Sequence, residues 1–268
     1  VSGAGQPTTH TYGPGPDQFL EVTLPDGGAP APVVVVVHGG FWRARYGIEL
    51  ARPLAADLAA AGWAAVAVEY RRVGAGGGWP TTLADVAAAL DSLPDLPAAP
   101  RLDLTDVTVV GHSAGGHLAA WAAGRGQLPD GAPGAGPRVP VTAVVSQAGV
   151  LDLGAAVAAD LGDGATVAFL GGTPADVPGR YAAADPVRLL PTGVPVLCVH
   201  GEDDTTVPLE QSRRFAAAAT AAGDAVELAV VPGDHMAAID LAGPAWRRVV
   251  EWLTARRTAG AGRTTLES

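Results

Sequence analysis

One serine stands between two glycines in VTVVGHSAGGHLAAWAAG, residues 107–124. The G-x-S-x-G spacing falls where a β-branched run stops and a small-residue helical pattern begins. A strand–turn–helix junction of that kind lifts the serine hydroxyl above the edge of a sheet. Gly111 and Gly115 lack β-carbons, so the incoming strand and the outgoing helix can pass without collision. Ser113 is therefore expected to be a nucleophile rather than a helix cap.

A serine hydroxyl needs a general base within reach to attack at neutral pH. Of the six histidines, His10 lies in a loose N-terminal stretch, and His112 and His117 flank the serine where the turn should aim them away from its oxygen. His38 follows the VVVVV run, and His200 ends another apolar run just before an acidic loop. His235, in VVPGDHMAAID, remains at the carboxyl end of the last strand pattern and is expected to be the base. An acid must hold its tautomer. HGEDDTTVP (200–208) offers Glu202, Asp203 and Asp204, and Asp152 is a secondary candidate after an earlier strand. The oxyanion that forms on a carbonyl under attack needs N–H donors. Glycines in HGGFW (38–42) let the backbone come close, so Gly40 and Phe41 are expected to donate together with Ala114 at the helix start. Trp42, Phe169, Tyr181 and Met236 are candidates for lining a substrate pocket.

These groups must be placed by a regular frame. Strand patterns fall at 19–24, 33–37, 64–70, 107–110, 141–146, 194–200 and 225–231, with helical patterns at about 47–61, 81–93, 114–123, 208–222 and 243–257. Runs apolar at every position suit strands covered on both faces. The alternation predicts an α/β fold, a mostly parallel sheet with helices on both sides. Sites in such sheets lie beyond the carboxyl ends of the strands, where the serine, the histidine and the acidic loop all fall. The whole of 1–268 reads as one domain. QLPDGAPGAGPRVP (127–140) is a Gly/Pro-rich loop, 151–190 is an insertion with the length of a lid or cap, and 259–268 reads as a flexible tail.

Composition narrows the chemistry. The net charge of −10 disfavours nucleic acid and anionic membrane as partners, and the expected partner is a small molecule. All 17 basic residues are arginine, so Schiff-base lysines, Ser-Lys dyads and phosphate-loop lysines are absent. Cys198 is alone in an apolar run, which leaves no disulfide framework and no cysteine-rich metal site. There is no metal-binding spacing and no dinucleotide fingerprint, so no cofactor or metal is expected. Without a signal-peptide pattern or a long uncharged apolar stretch, a cytoplasmic protein is expected. The sequence leaves the oligomeric state open.

HGGFW, GHSAGGH, HGEDDTTVP and GDH, in that order, resemble the α/β-hydrolase fold from about residue 17 to 257. HGG-aromatic-Trp combined with GHSAGGH is similar to the arylformamidase (kynurenine formamidase) and bacterial carboxylesterase branch. The family's H-G-x-x-D-x-x-V-P pattern implies that Asp204 is the acid, and the segment FLGGTPADVPGRYAAADP looks like the one these esterases carry before the seventh strand. The loop reads HGGF rather than the HGGG of hormone-sensitive-lipase relatives, which turns the likeness toward arylformamidases. The resemblance implies a serine hydrolase that cleaves a small carboxylic ester or activated amide through an acyl-serine intermediate. The alternatives are an aryl formamidase acting on N-formyl aryl amides, an acyltransferase on the same machinery, and, in a different class, a catalytically dead ligand-binding homologue.

Overall fold

In the computed structural model, which describes residues 5–264, eight strands among the described residues form one sheet in the order β1-β2-β4-β3-β5-β6-β7-β8. They are β1 (Thr8–Thr11), β2 (Phe19–Thr23), β3 (Ala31–Val37), β4 (Ala64–Val68), β5 (Leu102–His112), β6 (Ala143–Gln147), β7 (Val196–Gly201) and β8 (Val226–Val231). β1 and β2 run antiparallel to their neighbours and the other six are mutually parallel. The expected α/β-hydrolase architecture is the one observed. β1 lies in the N-terminal stretch expected to be loose, and there the structure corrects the expectation. Its four polar residues, TTHT, are mostly exposed and pair with β2 through the backbone and the Thr8 hydroxyl, so no apolar period marks them.

The period of two along β3 divides the core. Val33, Val35 and Val37 belong to one apolar cluster, while Val34 and Val36 belong to the other. All five are buried, at roughly 2 kcal/mol each for a fully covered valine. The first face is covered by α2 (Thr81–Asp91), α3 (Ala114–Ala123) and α7 (Glu210–Ala222), through Leu83, Leu118 and Phe215. The second is covered by α1 (Arg52–Ala60) and α8 (Pro244–Thr264), through Leu58, Trp246 and Leu253.

The insertion 151–190 folds into three short helices, α4 (Leu153–Ala158), α5 (Ala165–Leu170) and α6 (Pro178–Ala184). Their buried Phe169, Leu170 and Tyr181 join the first cluster. Of the stretch expected as a tail, 259–264 continues the backbone of α8, and 265–268 lies outside the described residues. No helix among the described residues is long and apolar enough to cross a membrane.

Candidate active site

The serine turn is as tight as the spacing requires. Ser113 has φ 56° and ψ −120°, a left-handed backbone that side chains rarely adopt, and the structure around it holds it there. A β-carbon on Gly111 would sit 2.0 Å from the Gly115 carbonyl oxygen, and one on Gly115 would sit 2.1 Å from that of Val37. Three backbones therefore meet where only glycine fits. The Ser113 N–H donates to the Gln147 carbonyl at 2.8 Å, which ties the turn to the end of β6. The Ser113 hydroxyl is buried and has no hydrogen-bond partner among the described residues.

His235 follows β8 and reaches the same rim. Its Nδ1 lies 2.7 Å from Asp204 Oδ2, which leaves Nε2 as the nitrogen available to a substrate or to the serine. Ser113 and His235 line one cavity of about 310 Å3, where an incoming carbonyl can lie against both. Hydrogen bonds of this type commonly close only once substrate is present.

Among the acidic candidates, Asp204 is the one that meets His235. Its Oδ1 accepts the N–H groups of Thr206 (2.9 Å) and Val207 (2.8 Å), and Oδ2 faces His235 together with His200 Nε2 at 3.2 Å. Burial alone would raise its pKa. The hydrogen bonds from His200, His235 and the Val207 backbone outweigh that and hold the carboxyl well below its usual range. Asp203 and Glu202 are exposed at the loop surface. Asp152 is occupied elsewhere, its Oδ1 accepting the Ala155 N–H at 2.8 Å as the cap of α4.

The HGGFW loop is an unusual stretch of backbone. Gly40, Phe41 and Trp42 have φ of 116°, 51° and 56°, so three consecutive residues are left-handed. Trp42 keeps this conformation in place: its ring stacks on Phe169 at 4.7 Å, its indole N–H donates to His117 Nδ1 at 3.2 Å, and its carbonyl accepts the Val73 N–H at 2.8 Å. Among the described residues the N–H groups of Gly40, Phe41 and Ala114 meet no protein acceptor. Behind the loop, His38 Nε2 lies 2.9 Å from Glu69 Oε1, and the Tyr70 hydroxyl donates to the His38 carbonyl at 2.8 Å. Glu69 also accepts from Arg72 and from the Ile48 and Tyr70 amides. Its burial would raise its pKa, but His38, Arg72 and the Tyr70 amide bring it down to about 2.

A family model described as BD-FAE matches residues 20–218. The chain belongs to the BD-FAE family. Esterase LipQ of Mycobacterium tuberculosis is 34% identical, over 92% of this chain and 60% of LipQ, and esterase LipC of the same organism is 30% identical, over 76% and 52%. The chain thus spans little more than half the length of the curated relatives it matches. Among solved structures, esterase B from Lactobacillus rhamnosis inhibited by a tributyrin phosphonate superposes with a TM-score of 0.83 at 21% identity, covering 98% of this chain and 88% of that one. That likeness carries the fold.

In this BD-FAE domain the cavity wall differs from the sequence expectation. Met236 lines the cavity and is half exposed. Trp42, Phe169 and Tyr181 do not line it. The first two stack on each other inside the core, and Tyr181 is buried with its hydroxyl on the Gly172 carbonyl at 3.1 Å. Their large apolar area is used to anchor the insertion and the HGGFW loop to the sheet. Phe41, Tyr46 and Leu50 take their place in the wall, and no arginine is among the lining residues. Among the described residues no three His, Cys, Asp or Glu side chains are grouped so that they could hold a metal ion.

The histidines flanking Ser113 part company. His117 points away, accepting from Trp42 at Nδ1 and donating from Nε2 to the Ala184 carbonyl at 2.9 Å. His112, contrary to expectation, lies against the site, with its ring 4.5 Å from that of His235. Burial pushes the His117 pKa down to about 4, against an ordinary 6.5. The unfolded chain therefore takes up this proton first as pH falls, so the stability His117 contributes is complete above pH 6.5 and lost between 6.5 and 4. The loss amounts to about 3 kcal/mol. Urea unfolding of wild type and His117→Gln across this window checks it. The acid-induced drop should be smaller in the variant by about that amount, and an equal drop would contradict the assignment.

Proposed function

We propose that the protein hydrolyses small, uncharged carboxylic esters or activated amides through an acyl-Ser113 intermediate. The observation that carries this reading is His235, bonded through Nδ1 to the Asp204 carboxylate and sharing one cavity with Ser113. In the first half-reaction, Ser113 Oγ adds to the substrate carbonyl carbon while His235 Nε2 takes the hydroxyl proton. Asp204 keeps the other imidazole proton on Nδ1 and stabilises the imidazolium. The carbonyl oxygen becomes an oxyanion and accepts from the free N–H groups of Gly40, Phe41 and Ala114, each worth roughly 3 to 4 kcal/mol of transition-state stabilisation. His235 then passes its proton to the leaving alcohol or amine as the bond to it breaks. Water repeats the sequence on the acyl-serine, giving the free acid and restoring Ser113.

The wall supports this substrate class. Apolar Phe41, Leu50 and Met236, with no cationic side chain, favour an uncharged acyl group over an anionic one. Esterase names among the relatives support ester cleavage. The single cysteine, buried with its thiol pushed up to about 12, suits a reducing cytoplasmic setting.

A panel of p-nitrophenyl acetate, butyrate and octanoate, run beside aryl amides and N-formyl anilides, tests the reading. Turnover is expected to be fastest for the short esters, with Ser113 labelled by a fluorophosphonate. Faster cleavage of formyl anilides than of any ester would assign an aryl formamidase instead. Absence of labelling in folded protein would assign a binding protein on an inactive hydrolase frame.

A further inference from the structure

His235 caps a single 3-10 turn, Met236–Ile239, that follows the edge strand β8, and its attachment to the rest of the site is uneven. On the acid side the backbones meet directly: the Asp203 N–H donates to the Gly233 carbonyl at 3.1 Å, and a β-carbon on Gly201 would lie 2.3 Å from that same oxygen. On the nucleophile side, two side chains make the hydrogen bonds among the described residues. His112 Nε2 lies 3.0 Å from the His235 carbonyl oxygen, and the Gln147 amide Nε2 donates to the Ala238 carbonyl at 2.5 Å. A carbonyl can only accept, so the His112 proton is on Nε2 and its buried Nδ1 is left without a partner.

His112 and Gln147 are register partners at the last positions of β5 and β6, so their side chains leave the sheet on the same face. Gln147 is gripped at both ends. Its main-chain carbonyl holds the Ser113 N–H at 2.8 Å while its side chain holds the turn that carries His235. His112 is covalently next to Ser113, and its ring lies against the His235 ring at 44°.

We propose that His112 and Gln147 are positioning residues, a two-point clamp that fixes the His235 turn to the strand ends carrying Ser113 and so sets the separation of base and nucleophile. The inference rests on the acyl-serine reading above. It explains why two buried polar side chains stand at a strand end with one atom each, His112 Nδ1 and Gln147 Oε1, unpaired. Leaving such groups unsatisfied is costly, and the hydrogen bonds each does make are both aimed at one turn. Burial, with the nearby His235 charge adding to it, lowers the His112 pKa to about 3, so His112 stays neutral while His235 is protonated during turnover and does not repel it.

The test uses steady-state kinetics on p-nitrophenyl acetate with His112→Leu, His112→Gln, Gln147→Leu and the double variant His112→Leu/Gln147→Leu. His112→Leu should lower kcat about 30-fold and Gln147→Leu about 10-fold, with KM changed less than about twofold, since the clamp acts on the geometry of proton transfer and not on binding. The double variant should lose less than the product of the two, because either break releases the same turn. His112→Gln, which keeps an N–H donor at comparable reach, should recover most of the kcat lost in His112→Leu. Rates of Ser113 labelling by a fluorophosphonate should fall in parallel with kcat. Single variants that keep kcat within about twofold, or that lose affinity alone, would overturn the clamp, as would a His112→Gln no better than His112→Leu. Should His112→Leu fail to fold, His112→Gln and Gln147→Leu carry the same comparison. Wild type that is neither labelled nor active would sink the acyl-serine reading itself, whereas active wild type with indifferent variants would sink the clamp alone.

Discussion

Ser113→Ala is expected to lower kcat for a p-nitrophenyl ester by roughly 10^5-fold or more while leaving the protein at least as stable as wild type. On the acyl-serine reading, the first half follows from removal of the atom that carries the acyl group. Losing a serine nucleophile typically leaves only the residual rate supplied by binding and oxyanion donors. The second half is specific to this structure. The Ser113 hydroxyl is buried and has no hydrogen-bond partner among the described residues, so the folded state gains no protein hydrogen bond from it and bears its desolvation. Alanine adopts the same backbone at φ 56° with no more strain than serine does. A melting temperature unchanged or raised by up to about 3 °C is expected for a chain of this size. A marked fall in melting temperature would show that the hydroxyl has a structural partner, and retention of more than about a hundredth of the activity would remove Ser113 from the mechanism.

Asp204→Asn should lower kcat by roughly 10^4-fold, whereas Asp203→Asn should leave it within about twofold. The size of the first effect comes from the four hydrogen bonds around the carboxylate. Oδ1 accepts the Thr206 and Val207 amides, so an asparagine must place its oxygen there and turn its NH2 toward His235 and His200. That NH2 donates to His235 Nδ1 and forces the ring proton onto Nε2, the nitrogen that on the acyl-serine reading receives the serine proton. The base is then present in the wrong tautomer. Asp203 is exposed and bonded to neither histidine. Comparable losses in the two variants would reassign the acid. Stability should respond as well. Because the folded state holds the Asp204 carboxyl below its unfolded pKa of about 3.8, it contributes stability above that pH and loses it as the solution is acidified further. Asp204→Asn should unfold more readily at pH 7 and show a weaker acid dependence below pH 4, measurable by urea titration at the two pH values.

Much of this arrangement could be read from the chain because its signals are local. The glycines around Ser113 must be glycines for reasons of backbone contact, and the uninterrupted valines of β3 announce a strand covered on both faces. The strands β2 to β8 and the five longer helices follow from such patterns. What stayed hidden depends on side chains meeting across the fold. Glu69 gives no hint in VEYRR that it braces the HGGFW loop through His38. His200 meets Asp204 only because the loop curls back by four residues, which no local pattern announces. Trp42, Phe169 and Tyr181 are candidates for the pocket and equally for the core, because aromatic side chains suit both and a sequence does not distinguish the two. Gln147 lies just beyond the strand pattern 141–146 and carries no local signal of its contact with the His235 turn.

Ser113, Asp204 and His235 arrive at one rim from β5, β7 and β8, in the order in which the chain is made. A ribosome that has emitted the polypeptide only as far as Val199 has delivered the alcohol without the carboxylate or the imidazole. On the acyl-serine reading, the nascent molecule can open no ester until β8 and the imidazole that follows it have docked beside β7, so the first turnover cannot precede assembly of that edge of the sheet.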